Sequence, residues 1–169
     1  FNDLISLTVL GLHDNKLKTL PSTVFKDLRI LNQLYLSGNQ LEILNETIFN
    51  DLISLTVLLL EDNILKTLPS TVFKDLRSLN KLYLYGNQLE VLHETIFNEL
   101  ISLTVLWLNH NKMTTLPSLT GLTVLWLHDN NLKTLPSTVF RDLRNLKDLQ
   151  LYGNELKTLN GTILHGLSR

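Results

Sequence analysis

The chain has 169 residues, 44% of them apolar and 18% charged, with a formal net charge of −1. That composition supports one domain with an interior of its own and excludes both a disordered chain and the basic surface that binds nucleic acid. Cysteine is absent, which excludes disulfides, thiolate nucleophiles and thiolate metal sites, and no apolar run is long enough to insert into a membrane.

The chain opens at Phe1 without Met or a leader, as expected of a processed or trimmed chain. Residues 1–6 (FNDLIS) match residues 49–54 and read as the tail of a preceding repeat. From Leu7 onward a 24-residue unit, LxxLxLxxNxLxxLxxxxFxxLxx, restarts at Leu31, Leu55, Leu79, Leu103, Leu122 and Leu146. The interval from Leu103 to Leu122 is 19 residues, because that unit lacks the Phe segment. Units at Leu7 and Leu55 are nearly identical, as are those at Leu31 and Leu79, so a pair of coils is the deeper duplication. A fixed period of this length predicts a stack in which each coil buries its apolar side chains against its neighbours.

Within each unit, LxxLxL alternates as a strand does. Leu10 and Leu12 point one way, and positions 9, 11 and 13 point the other. An asparagine follows every strand, at Asn15, Asn39, Asn63, Asn87, Asn111, Asn130 and Asn154, and is expected to satisfy backbone groups left unpaired where the chain turns. All six Phe (Phe1, Phe25, Phe49, Phe73, Phe97 and Phe140) share one repeat position and read as a packed spine, with Leu164 taking the position in the last unit. Pro21, Pro69, Pro117 and Pro136 share another, holding the preceding Leu extended. Lys18, Glu42, Lys66 and Glu90 predict an alternating charge ladder on one flank, worth under about 1 kcal/mol per pair.

These units resemble the typical subclass of extracellular leucine-rich repeats, found in Toll-like receptor ectodomains and in the variable lymphocyte receptors of jawless fish. The resemblance covers the whole chain and implies one domain over residues 1–169. The implied fold is a curved right-handed solenoid of the α/β horseshoe type, with a parallel sheet on its concave face and short 3-10 or irregular segments on its convex face. It also implies an extracellular or cell-surface protein that binds a protein ligand, of receptor or immune type. The chain departs from that family in lacking cysteine-rich caps.

Structural columns are constant for packing reasons, so a ligand site is sought where solvent-facing positions vary. The near-identical units differ on the outward strand face at Gly11/Leu59, His13/Glu61, Gln33/Lys81 and Ser37/Tyr85. The central outward column reads Gly11, Tyr35, Leu59, Tyr83, Trp107, Trp126, Gln150, and the next reads His13, Ser37, Glu61, Tyr85, Asn109, His128, Tyr152. Every Tyr and Trp of the chain falls in these two columns, although Leu and Phe already supply the core. Such residues favour a binding role. The expected site is an exposed stripe centred on Tyr83, Tyr85, Trp107 and Trp126, rimmed by Lys81, Asn109 and His128 and extended by Tyr35, Leu59 and Tyr152. The short unit beside the two Trp should alter curvature there; whether it tunes the site is open.

His110 and Asp129 share a column beside His128, a set able to hold a divalent ion, but the pattern does not repeat and no metal is expected. No nucleophile–base pair or phosphate-cradling loop is present, so neither catalysis nor a cofactor is expected. Gly38, Gly86 and Gly153 share a turn position and read as backbone fit. Two N-glycosylation sequons start at Asn45 and Asn160, off the strand face. Two other readings remain: a structural array self-associating end to end through uncapped termini, and a repeat protein made by design or to a consensus.

Overall fold

The computed structural model describes residues 3–167, which excludes Phe1 of the predicted spine. It contains seven short strands: β1 (Val9–Gly11), β2 (Gln33–Tyr35), β3 (Val57–Leu59), β4 (Lys81–Tyr83), β5 (Val105–Trp107), β6 (Val124–Trp126) and β7 (Asp148–Gln150). They form one parallel sheet in sequence order, each strand paired only with its chain neighbours. A single 3-10 turn, His165–Leu167, is the one helical element among the described residues. The register keeps like positions together, as in Leu82↔Leu106 and Leu106↔Leu125. The sheet therefore continues unbroken through the 19-residue unit, whose deletion falls after its strand and asparagine.

Alternation places one leucine of each strand inward. Leu34, Leu58, Leu82, Leu106 and Leu125 are fully buried, and the column two residues on (Leu36, Leu60, Leu84, Leu108, Leu127) is buried with them. Behind this layer Phe25, Phe49, Phe73 and Phe97 stack ring on ring at 6.2–6.3 Å, within 16° of parallel. Neighbouring strands lie only about 4.8 Å apart. The same coils are thus more widely spaced at the Phe side than at the sheet, and the solenoid bends with its sheet on the inner side. Leu164 does not continue the spine: it is 50% exposed, and Ile163 beside it is buried.

The asparagine column is a ladder between coils. Asn87 donates through Nδ2 to Leu84 O (3.1 Å) in its own coil and to Leu60 O (3.0 Å) in the coil before, while its Oδ1 accepts from Leu65 N (3.0 Å). Asn39, Asn63 and Asn111 repeat that pattern. Asn130 keeps it across the short unit by accepting from Met113 N and donating to Leu108 O. The residue before each asparagine is left-handed: Asp14, Asp62, His110 and Asp129 have φ of 52–55°, and Gly38, Gly86 and Gly153 have φ of 63–67°. Of the charge ladder, one rung closes among the described residues, Lys66–Glu42 at 3.5 Å. Its long side chains stay largely in water, where such contacts gain little.

Candidate binding face

Register pairing sets Tyr83 beside Trp107 and Trp107 beside Trp126 on the outward face of β4, β5 and β6. Their rings stack at 4.1 Å for both pairs, inclined by 5° and 3°. The second column closes on this ladder from the side. Tyr85 leans on Trp107 (5.9 Å), His128 leans on Trp126 (5.8 Å), and Tyr152 stacks on His128 (4.4 Å, 14°). Six of the expected residues thus form one connected aromatic group across four coils. Both faces of Trp107 are thus covered, one by Tyr83 and the other by Trp126. Tyr35 stands apart, hydrogen-bonded to Gln33 and packed edge-on against His13. Leu59 lies in register between Tyr35 and Tyr83, half-buried, while Lys81 and Tyr152 are exposed.

The polar rim differs from expectation. Asn109 (5% exposed) and His128 (6%) do not face solvent, and neither does Glu61 (8%), which shares their column. The bulky rings of adjacent coils cover them. Position alone does not impose this, because His13 and Tyr152 of the same column are exposed. Burial leaves Glu61 Oε2, Trp107 Nε1, Asn109 Oδ1 and His128 Nδ1 without hydrogen-bond partners. Trp126 is served differently: its Nε1 donates to Asp148 Oδ2 at 2.9 Å. Desolvation pushes the Glu61 carboxyl above the ordinary carboxylate range, and Glu61's own backbone hydrogen bond opposes this less strongly. Burial, then the nearby Glu61 charge, raises the phenols of Tyr83 and Tyr85. Burial also lowers the His128 imidazole, with Asp129 opposing.

Sequence reasoning passed over Asp148 and did not place Glu61 within the site. Both carried a signal: an acid one coil beyond Trp126 and within reach of its N–H, and an acid beside two tyrosines. At the edge of the face, one ligand atom each from His110, His128 and Asp129 lies within 4.8 Å of the others, with His110 Nδ1 at 3.5 Å from Asp129 Oδ2. The sequons lie elsewhere, at exposed turns where Asn45 Oδ1 accepts from Thr47 N and Oγ1, and Asn160 Oδ1 from Thr162 N and Oγ1. No helix among the described residues is long and apolar enough to cross a membrane.

No curated protein matches the chain. Among solved structures, a chain of the TLR13–ssRNA13 complex is 30% identical and superposes with a TM-score of 0.92 over 99% of this chain and 24% of that one. A leucine-rich repeat protein of Leptospira interrogans is 35% identical (TM-score 0.76) over 90% of this chain and 42% of its own. A chain of the octameric complex of Latrophilin 3, Unc5D and FLRT2 (LRR), at 24% identity and a TM-score of 0.73, covers 95% of this chain and 58% of its own and is similar in fold alone. This chain therefore spans between about a quarter and three fifths of the proteins it resembles. The leucine-rich repeat family model matches residues 5–65, 41–89, 53–113, 77–126 and 120–169. With an in-register strand in every coil and a bridging asparagine in each coil from Asn39 onward, the chain belongs to the leucine-rich repeat family.

Proposed function

We propose that this chain is a non-enzymatic recognition module that binds a protein ligand on the outward face of its sheet, as an extracellular or cell-surface receptor of immune type. The observation that carries the reading is the connected group Tyr83, Tyr85, Trp107, Trp126, His128 and Tyr152, flanked by the unpaired polar atoms of Glu61, Trp107 and Asn109. Large rings held rigid by their neighbours lose little conformational freedom on binding. Structures similar to this one contain single-stranded RNA in one case and protein assemblies in another. Protein is favoured here for two reasons. The net charge of −1 gives no overall attraction to a polyanion, and the mutually stacked rings leave few free faces for bases.

The test is selection from a displayed library of extracellular protein domains, with counter-selection on the Trp107→Ala/Trp126→Ala double variant. Domains that bind the wild type and lose about tenfold or more on the double variant are expected, since hot-spot truncations cost more than about 1 kcal/mol each. Domains that bind both proteins equally, or single-stranded RNA that shifts the tryptophan emission at physiological salt, refute the reading. A second reading, an array joined end to end, is favoured by the exposure of Leu4, Leu159 and Leu164 on the outermost described coils. A scattering mass that stays at 19.4 kDa across concentration refutes it.

A further inference from the structure

We propose that His110, His128 and Asp129 form a binding site for a divalent transition-metal ion at the edge of the outward face. Along Asp14, Gly38, Asp62, Gly86, His110, Asp129 and Gly153, every pair of neighbouring coils sets a side chain against a glycine, except the pair His110 and Asp129. A carboxylate such as Asp62 occupies the space a Cβ on Gly86 would need, 2.2 Å from its Oδ1, and Asp129 does the same at Gly153. Only His110 and Asp129 set two functional side chains against each other. Both residues are left-handed, with φ of 52° and 55°, so their side chains leave the backbone in the same sense.

His128, the residue before Asp129, brings a third donor. Its ring is held by Tyr152 and Trp126 and meets the His110 ring edge-on at 5.3 Å. It is 94% buried by its 6% exposure, and its Nδ1 has no partner. An imidazole fixed in place, kept from water and unpaired is costly unless something occupies it. The ligand atoms of the three residues lie within 4.8 Å of one another. Donors around a tetrahedral ion with bonds of about 2.1 Å are separated by about 3.4 Å, which the 3.5 Å contact of His110 Nδ1 with Asp129 Oδ2 already matches. Closing the remaining gap, at most about 1.4 Å, takes a turn of His110, whose side chain is 57% exposed. Two imidazoles and one carboxylate select zinc, nickel or copper over calcium and magnesium, which demand oxygen donors throughout. Three protein ligands leave a fourth position open towards solvent, for water or a group from a partner.

The test is titration of the untagged protein with Cu²⁺, read by tryptophan emission, because Trp126 lies 5.8 Å from the His128 ring. Saturable quenching at one equivalent is expected, reversed by Zn²⁺. His110→Ala and Asp129→Asn, both at solvent-accessible positions, should each raise the apparent Kd about tenfold or more. His128→Phe, which preserves the ring stack on Tyr152, should abolish the quenching. His13→Ala and His93→Ala should leave it unchanged. An apparent Kd left unchanged by His110→Ala and by Asp129→Asn, or quenching that never saturates, overturns the assignment, as does an unchanged response in folded His128→Phe.

Discussion

Replacing Asn87 by alanine tests how the coils are held together. The structure separates the consequences of Asn87→Ala group by group. Leu60 O loses the bond from Asn87 but keeps that from Asn63 (3.1 Å), and Leu84 O keeps the bond from Asn111 (3.0 Å). Leu65 N has no such reserve: its acceptor is Asn87 Oδ1 at 3.0 Å, and Leu65 is fully buried. One stranded buried N–H costs about 1–3 kcal/mol, and the two carbonyls that keep a partner add little. A loss of about 2 kcal/mol should lower Tm by about 4–8 °C in a domain of this size. Asn15 supplies the contrast, since it is exposed and makes only two donations, to Leu12 O and His13 O. Asn15→Ala should therefore cost well under about 1 kcal/mol. Calorimetric melts of the two variants beside the wild type decide the matter. Equal losses, or an unchanged melt for Asn87→Ala, would refute the view that the ladder binds each coil to the one before it.

Glu61 makes a prediction about pH. Because burial raises its pKa above the ordinary 4.5, the folded chain holds this proton more tightly than the unfolded chain does. The associated stability is full below about 4.5 and is withdrawn as pH rises through the higher folded value. Glu61→Gln should accordingly raise Tm at pH 7 and change it little at pH 4, and a gain of equal size at both would contradict this account. Gly86→Ala should destabilise by more than about 1 kcal/mol, since φ is +65° and the new Cβ meets Asp62 Oδ1 at 2.2 Å. Adding Asp62→Ala should recover the part due to the clash, leaving the backbone part. Gly161→Ala, where a Cβ meets nothing within 4 Å, should be neutral in the same denaturation assay.

Most of the fold was legible because the repeat writes it seven times. Leucine alternation in LxxLxL set the strands, their faces and their register, and a fixed period demanded that like residues neighbour one another. The asparagine column announced a turn that needs an amide, although not that each amide reaches back into the preceding coil. The site was legible as a place and less so as an arrangement. Tyr83, Trp107 and Trp126 in one column at strand spacing already implied ring-on-ring contact, which the reading as an exposed stripe overlooked. The burial of Asn109, His128 and Glu61 was not readable from their own position, because it depends on which rings the flanking coils carry. His13, in the same column, has no comparable cover. Lys18 and Glu90 show the opposite limit. Lys66–Glu42 closes and their ladder neighbours do not, because a hydrated pair gains too little for register alone to decide which rungs form.

The five residues missing from the unit at Leu103 have a consequence for the shape that the ligand face presents. Where the spine is intact, bulky rings wedge the outer wall open, and each coil is tilted against the last. In the short unit that wedge is gone, and Thr114 N and Ser118 N bond directly to Glu90 O and Glu94 O of the preceding coil. Without that spacer the outer wall is drawn closer to the step of the inner one, so the tilt between these coils should lessen. Trp107 stands on the strand of this short unit, its ring near-parallel to those of Tyr83 and Trp126. Restoring a full-length segment there would splay the three rings apart at their roots and turn a level platform into a trough.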